Sequence, residues 1–215
     1  MTVSLRKGQG VSLLKSQYDL SLVTLGLGWD VAEEKKGLLG SFLSKGKSEL
    51  EYDLDAVAFL LDTTGKVNNL GDVKDNRSTL NNGDIVYYNS LKHFSGNIWL
   101  TGDNRTGAGD GDDEQIIVRL DAIDQRYQRI VFVVQIYQGI KNCQHFGKVR
   151  NAFIRAIDAK GKEMVRYDLS GDSSFNEHCS MVFAELVRDS GGWQFKAIGK
   201  PYRADSFVTI LKDFI

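Results

Sequence analysis

AFIRAIDAKGKEMVRYDLSGDSSFNEHCSMVFAELVRDSGGWQFKAI, residues 152–198, decides the fold class. It holds four runs rich in β-forming residues, at 152–157, 163–169, 180–187 and 193–198. Asp158-Ala-Lys-Gly161 and Asp189-Ser-Gly-Gly192 join them in pairs, and both read as hairpin turns. Working outward, similar runs recur at 130–137, 116–120, 98–100, 85–88, 56–61 and 20–27. Asp62-Thr-Thr-Gly65 closes the 56–61 run with another turn signal. Short strands at this spacing predict an all-β sandwich or barrel. Short helical turns are expected at 120–128 and at 207–214, where Phe207, Ile210, Leu211 and Phe214 recur on one face.

The chain has 215 residues, enough to bury a core without disulfides or metals to staple it. No linker or fixed-period repeat divides it, so a single domain over residues 1–215 is expected. With 22 glycines and one proline, glycine makes most of the turns. The net charge of −1 gives no general pull toward nucleic acid. Lys141, Lys148 and Arg150 are too sparse for a nucleic-acid stripe. The N-terminus lacks a signal-peptide pattern, and no apolar run approaches the roughly 20 residues of a transmembrane helix. The expected place is therefore the cytoplasm, its boundary with the inner face of the membrane included. Two cysteines, Cys143 and Cys179, do not make a disulfide framework and read as reduced thiols.

The acidic charge is local. Residues 102–115 read GDNRTGAGDGDDEQ, with Asp103, Asp110, Asp112, Asp113 and Glu114 against the single base Arg105. Two like charges about 5 Å apart repel by roughly 3 kcal/mol at an effective dielectric near 20. A hard divalent cation offsets several such pairs at once, and oxygen-only donors select Ca²⁺ or Mg²⁺ over zinc or copper. Calcium suits an irregular carboxylate and carbonyl loop better than magnesium, which demands a regular octahedron. The loop is not an EF-hand: Asp103 and Glu114 stand at positions 1 and 12, but Arg105 falls at position 3 and Ala108 at position 6. A second acidic pair, Asp53 and Asp55, precedes the apolar run AVAFLL; its spacing puts both carboxylates on one face of a strand and Leu54 and Ala56 on the other.

Residues 32–49, AEEKKGLLGSFLSKGKSE, depart from the rest in composition. Leu38, Leu39, Phe42 and Leu43 would share one helical face among four lysines. The segment reads either as a short element that touches a membrane or partner, or as an insertion loop that tucks its apolar residues against the sandwich. No catalytic constellation is visible. His93, His145 and His178 form no zinc pattern, and there is no Walker loop or dinucleotide fingerprint. Trp29, Trp99 and Trp193 read as core aromatics, while Arg155 reads as either inward-paired or edge-exposed.

These stretches resemble the TerD-type family of bacterial tellurite-resistance and stress proteins. The resemblance rests on Leu5-Arg-Lys-Gly8, Val11-Ser-Leu13, Leu25-Gly-Leu-Gly-Trp-Asp30, Asp53-Leu-Asp-Ala56, Phe59-Leu-Leu61 and Thr101-Gly-Asp-Asn104. It continues through Gly107, Gly109-Asp-Gly-Asp-Asp-Glu-Gln115, Phe146-Gly147, Arg155 and Trp193-Gln-Phe-Lys-Ala-Ile-Gly199. It implies an antiparallel β-sandwich with short helical turns that binds two calcium ions. The implied ligands are Asp53, Asp55, Asp103, Asn104, Gly107, Asp110, Asp112, Asp113 and Glu114, with Asp30 a weaker candidate. Ala108 departs from the family, which more often has an acid there, and residues 32–49 are an insertion relative to shorter members. The expected role is a non-enzymatic, calcium-binding scaffold or sensor for protein partners of a stress or membrane-associated complex. A subunit with constitutive, structural calcium is a variant of it. The alternative is a redox or detoxifying protein that meets tellurium oxyanions through Cys143 or Cys179.

Overall fold

Every residue of Leu54–Leu61 is buried, and so is Arg129–Ile136 after its first residue. Strands covered on both faces read as unbroken apolar runs. That is why AVAFLL and IVFVV show no alternation. The protein is described by a computed structural model over residues 2–31, 52–101, 111–169 and 173–215. Its strands are β1 (Val3–Leu5), β2 (Gly10–Leu14), β3 (Val23–Val31), β4 (Leu54–Leu61), β5 (Val73–Lys74), β6 (Arg77–Ser78) and β7 (Ile85–Val86). They continue with β8 (Ile98–Leu100), β9 (Glu114–Val118), β10 (Arg129–Ile136), β11 (Val149–Ile157), β12 (Glu163–Asp168), β13 (Ser180–Asp189) and β14 (Gly192–Tyr202), before the helix α1 (Phe207–Leu211).

Two six-stranded sheets form the sandwich, in the orders β1-β12-β11-β3-β9-β8 and β2-β14-β13-β10-β4-β7. Neighbours are antiparallel except β1 and β12, which run parallel at one edge. The inner faces share one core that includes Leu25, Leu54, Leu60, Ile116, Ile130 and Phe183. The outer face of the second sheet carries another, where Val57, Phe59 and Leu61 meet Ile85, Phe207 and Ile210. Residues 207–214 therefore form a lid of one short helix and a 3₁₀ turn, as their spacing predicts. Strands β11 and β14 have one wet face and alternate buried with partly exposed residues.

The differences from the sequence reading have local causes. The expected 20–27 strand is β3, shifted toward the acidic segments. The short edge strands β1 and β2 carry too few buried residues to announce themselves. Residues 120–128 form turns but no helix. There the Arg188 guanidinium donates to the carbonyls of Ile123 (2.9 Å), Asp124 (3.3 Å) and Tyr127 (3.2 Å), which helical bonding would compete for. Trp29 and Trp193 are core residues, and Trp193 Nε1 donates to Leu120 O at 3.0 Å. Trp99 is only half-buried, with the Arg119 guanidinium 5.4 Å from its ring. Residues 32–49 lie outside the described residues.

A buried polar cluster lies beneath the β7–β8 connection, unannounced by any sequence pattern. Asp84 Oδ1 accepts from the Tyr127 hydroxyl at 2.6 Å and lies 3.3 Å from His93 Nε2, while Asp84 Oδ2 accepts from Asn69 N–H at 3.0 Å. Ser95 N–H donates to His93 Nδ1, so the proton of a neutral ring sits on Nε2 and faces Asp84. Burial pushes the Asp84 carboxyl up, but bonds from His93, Tyr127 and Asn69 outweigh it and hold the carboxyl below its ordinary value.

Candidate metal centre

The end of β3 and the start of β9 bring the acidic loop onto the sandwich. Leu27 pairs with Glu114, and Asp113 N–H donates to Leu27 O at 2.8 Å. Beyond that point β9 no longer flanks β3. The Asp113 side chain replaces it, and its Oδ2 accepts from Trp29 N–H at 2.9 Å. Asp30 follows on β3, exposed, with Oδ2 accepting from Asn151 Nδ2 at 2.6 Å. Burial raises the Asp113 carboxyl above its ordinary value; the Trp29 N–H opposes this, and the neighbouring Asp30 and Asp112 carboxylates add to it.

The other described acids turn elsewhere. Asp112 crosses the outer face of the first sheet, where Oδ1 accepts from Arg155 Nε at 2.7 Å and Oδ2 from Gln115 Nε2 at 3.3 Å. Arg155 also reaches Glu163 at 3.2 Å, which settles its open assignment: it is paired on the outer face of the sheet. Glu114 turns inward and its Oε2 accepts from Ala56 N–H at 2.5 Å. That N–H lies on β4 beyond the stretch that β7 covers, since β7 pairs only with Ala58 and Phe59. Loop and acidic strand thus meet, at the peptide next to Asp55. Asp55 itself lies opposite Gln135 and accepts its Nε2 at 2.8 Å. Gln135 Oε1 accepts from Phe207 N–H at 2.6 Å, so Asp55 helps seat α1. Asp53 is half-buried just before β4, and its carbonyl accepts from Tyr137 N–H at 2.8 Å.

Asp103, Asn104, Gly107 and Asp110 lie outside the described residues. Among the described residues, no group of three or more His, Cys, Asp or Glu is arranged to hold a metal ion. Asp30 and Asp112 act on the Asp113 carboxyl through their charge, and the described acids alone do not form a coordination sphere.

Geometry explains the Leu25-Gly-Leu-Gly-Trp-Asp30 stretch. A Cβ on Gly26 would lie 2.1 Å from Asp112 Oδ2, and one on Gly28 would lie 2.4 Å from the Phe153 ring. The glycines clear the sheet for the carboxylate and the ring. Gly26→Ala is expected to cost about 2 kcal/mol in urea unfolding, because the methyl displaces Asp112 from Arg155. A loss below about 0.5 kcal/mol would show that Asp112 leaves its seat freely.

The cysteines differ. Cys143 is exposed. Cys179 is buried, its thiol donates to Gln144 O at 3.1 Å, and burial with nearby Asp205 pushes its pKa up. No helix among the described residues is long and apolar enough to cross a membrane.

Two packed sheets, with Asp112 and Asp113 seated on the glycine-cleared strand β3, set the architecture. The chain belongs to the TerD domain family, whose family model matches residues 1–214. It is 63% identical to the tellurium resistance protein TerX of Serratia marcescens, over 100% of both chains. It is 37% identical to general stress protein 16U of Bacillus subtilis, over 94% of this chain and 92% of that one. The crystal structure of a homologue of telluride resistance protein from Streptomyces coelicolor superimposes with a TM-score of 0.58, at 19% identity, covering 87% of this chain and 94% of that one. This last likeness supports the sandwich fold alone.

Proposed function

We propose that this protein acts in resistance to tellurium compounds and in general stress as a calcium-binding scaffold or sensor, not as an enzyme. The resistance and stress role is supported by relatives that bear those names over nearly their whole length. Calcium binding is supported chiefly by one observation: the Asp113 carboxyl, which accepts from Trp29 N–H, is raised above its ordinary value by burial first and then by the charges of Asp30 and Asp112. Such a group is stabilised in its charged form by a cation.

In this reading Asp113 and Asp30 supply ligands together with Asp103, Asn104, Gly107 and Asp110, and Asp53 stands at the rim. Asp112, Glu114 and Asp55 act mainly as supports, through Arg155, the Ala56 N–H and Gln135. Two ions are expected. Bound calcium orders the loop end of the sandwich and completes a surface for protein partners. The burial of Cys179 disfavours it as the thiol of a redox alternative, since a raised pKa leaves little thiolate.

Asp113→Asn tests the site. The amide keeps an oxygen for Trp29 N–H but loses the charge, so calcium affinity is expected to fall at least about tenfold, a change of about 1.4 kcal/mol. The β-type circular dichroism should remain. Unchanged affinity would place the ion away from Asp113.

A further inference from the structure

Phe146-Gly147, a stretch the calcium reading does not use, forms one lip of a cleft of about 240 Å³. The cleft opens between the 3₁₀ turns Phe146–Lys148 and Ser173–Phe175. Its walls are apolar and belong to the inter-sheet core: Phe146, Val149, Ala152, Leu169, Phe175 and Met181, all buried. A closed apolar cavity of about 150 Å³ already holds a benzene ring, and drug-sized sites begin near 300 Å³.

The lip is polar. Gly147 and Asn176 line it, and a Cβ on Gly147 would lie 2.0 Å from Asn176 Oδ1 and 2.9 Å from His145 Nδ1. The bare glycine therefore leaves room for Asn176, which lines the mouth, and for His145 Nδ1 beside Gly147. His145 Nδ1 is buried and, among the described residues, has no hydrogen-bond partner. A buried polar atom left unpaired beside an apolar cleft is costly unless a water or ligand satisfies it. Burial, then Lys148, lowers the pKa of this ring, while Glu177 opposes them. Glu177 is itself paired with Arg203 at 3.3 Å. Lys7 stands 5.6 Å from the centre of the Phe175 ring. Among the described residues, Lys148 and Lys7 thus stand against Glu177 near the mouth.

We propose that this cleft binds a small amphiphile, an apolar body of roughly six to ten carbons with a carboxylate head. The body lies against Ala152, Phe175 and Met181. The head takes hydrogen bonds from His145 and Asn176 and the field of Lys148 and Lys7. None of the lining residues is a proposed calcium ligand, although Asn151, next to Ala152, donates to Asp30.

Sodium octanoate titrated into ¹⁵N-labelled, calcium-supplemented full-length protein tests it. The expected result is saturable shifts confined to amides around Gly147, Ala152, Phe175 and Met181 at millimolar ligand. Ala152→Leu, which fills the cleft, and His145→Ala, which removes the head's partner and leaves the walls, should each weaken binding about tenfold. If Ala152→Leu does not fold, His145→Ala carries the test alone. Absence of saturable shifts, shifts scattered over the sandwich, or unchanged affinity in either folded variant would overturn the proposal.

Discussion

Calcium is expected to raise the melting temperature of the chelator-stripped protein by roughly 5–10 °C per site at 100 times the dissociation constant. One site filled to that degree adds about 2.7 kcal/mol, and a domain of this size gains about 2–4 °C per kcal/mol. The pH dependence follows from Asp113. Its folded carboxyl is raised above the ordinary 3.8, so in the metal-free protein its contribution to stability is fully present below 3.8 and lost as pH rises through the higher folded value. At neutral pH the metal-free fold therefore carries a penalty that a cation relieves. The stabilisation by calcium should be largest near neutrality and shrink as pH falls through the carboxylate range. Magnesium should help less, because it needs a tighter octahedron. Superimposable melts in calcium and in chelator at neutral pH would contradict the account.

Asp84→Ala is expected to cost about 3 kcal/mol in urea unfolding. It leaves the buried Tyr127 hydroxyl and His93 Nε2 without their shared acceptor, and Asn69 N–H without its own. Asp84→Asn keeps an oxygen and should cost less. Because the folded Asp84 carboxyl is held below 3.8, its stabilisation is present above 3.8 and lost as pH falls through the lower folded value. The wild-type protein should thus lose stability in acid by a step that Asp84→Ala lacks. A loss below about 1 kcal/mol in that variant would show that the cluster is dispensable.

The β-sandwich was legible because its strands state their burial. Unbroken apolar runs at 56–61 and 130–134 mark the doubly covered β4 and β10, and the four runs of 152–198 mark β11 to β14. The 120–128 turns were not legible, since the side chain that captures their carbonyls, Arg188, lies some sixty residues away. The acidic loop was visible as composition, but the direction of each carboxylate was not. Asp112 and Glu114 read alike in sequence, yet one crosses an outer sheet face to Arg155 and the other turns inward to β4. Only the glycines hinted at this: Gly26 leaves the space that Asp112 fills. Asp53 and Asp55 read as an equivalent pair, but Asp55 sits opposite Gln135, a partner that strand register alone supplies. The Asp84–His93–Tyr127 cluster joins three separate segments and leaves no local pattern.

The measurement that bears most directly on calcium binding is calorimetric titration of calcium into chelator-stripped protein, with Asp113→Asn run alongside. The wild-type chain should bind saturably, with about two ions per chain, and the variant should bind at least about tenfold more weakly. No saturable heat at millimolar calcium, or equal affinity in the two proteins, would contradict the account.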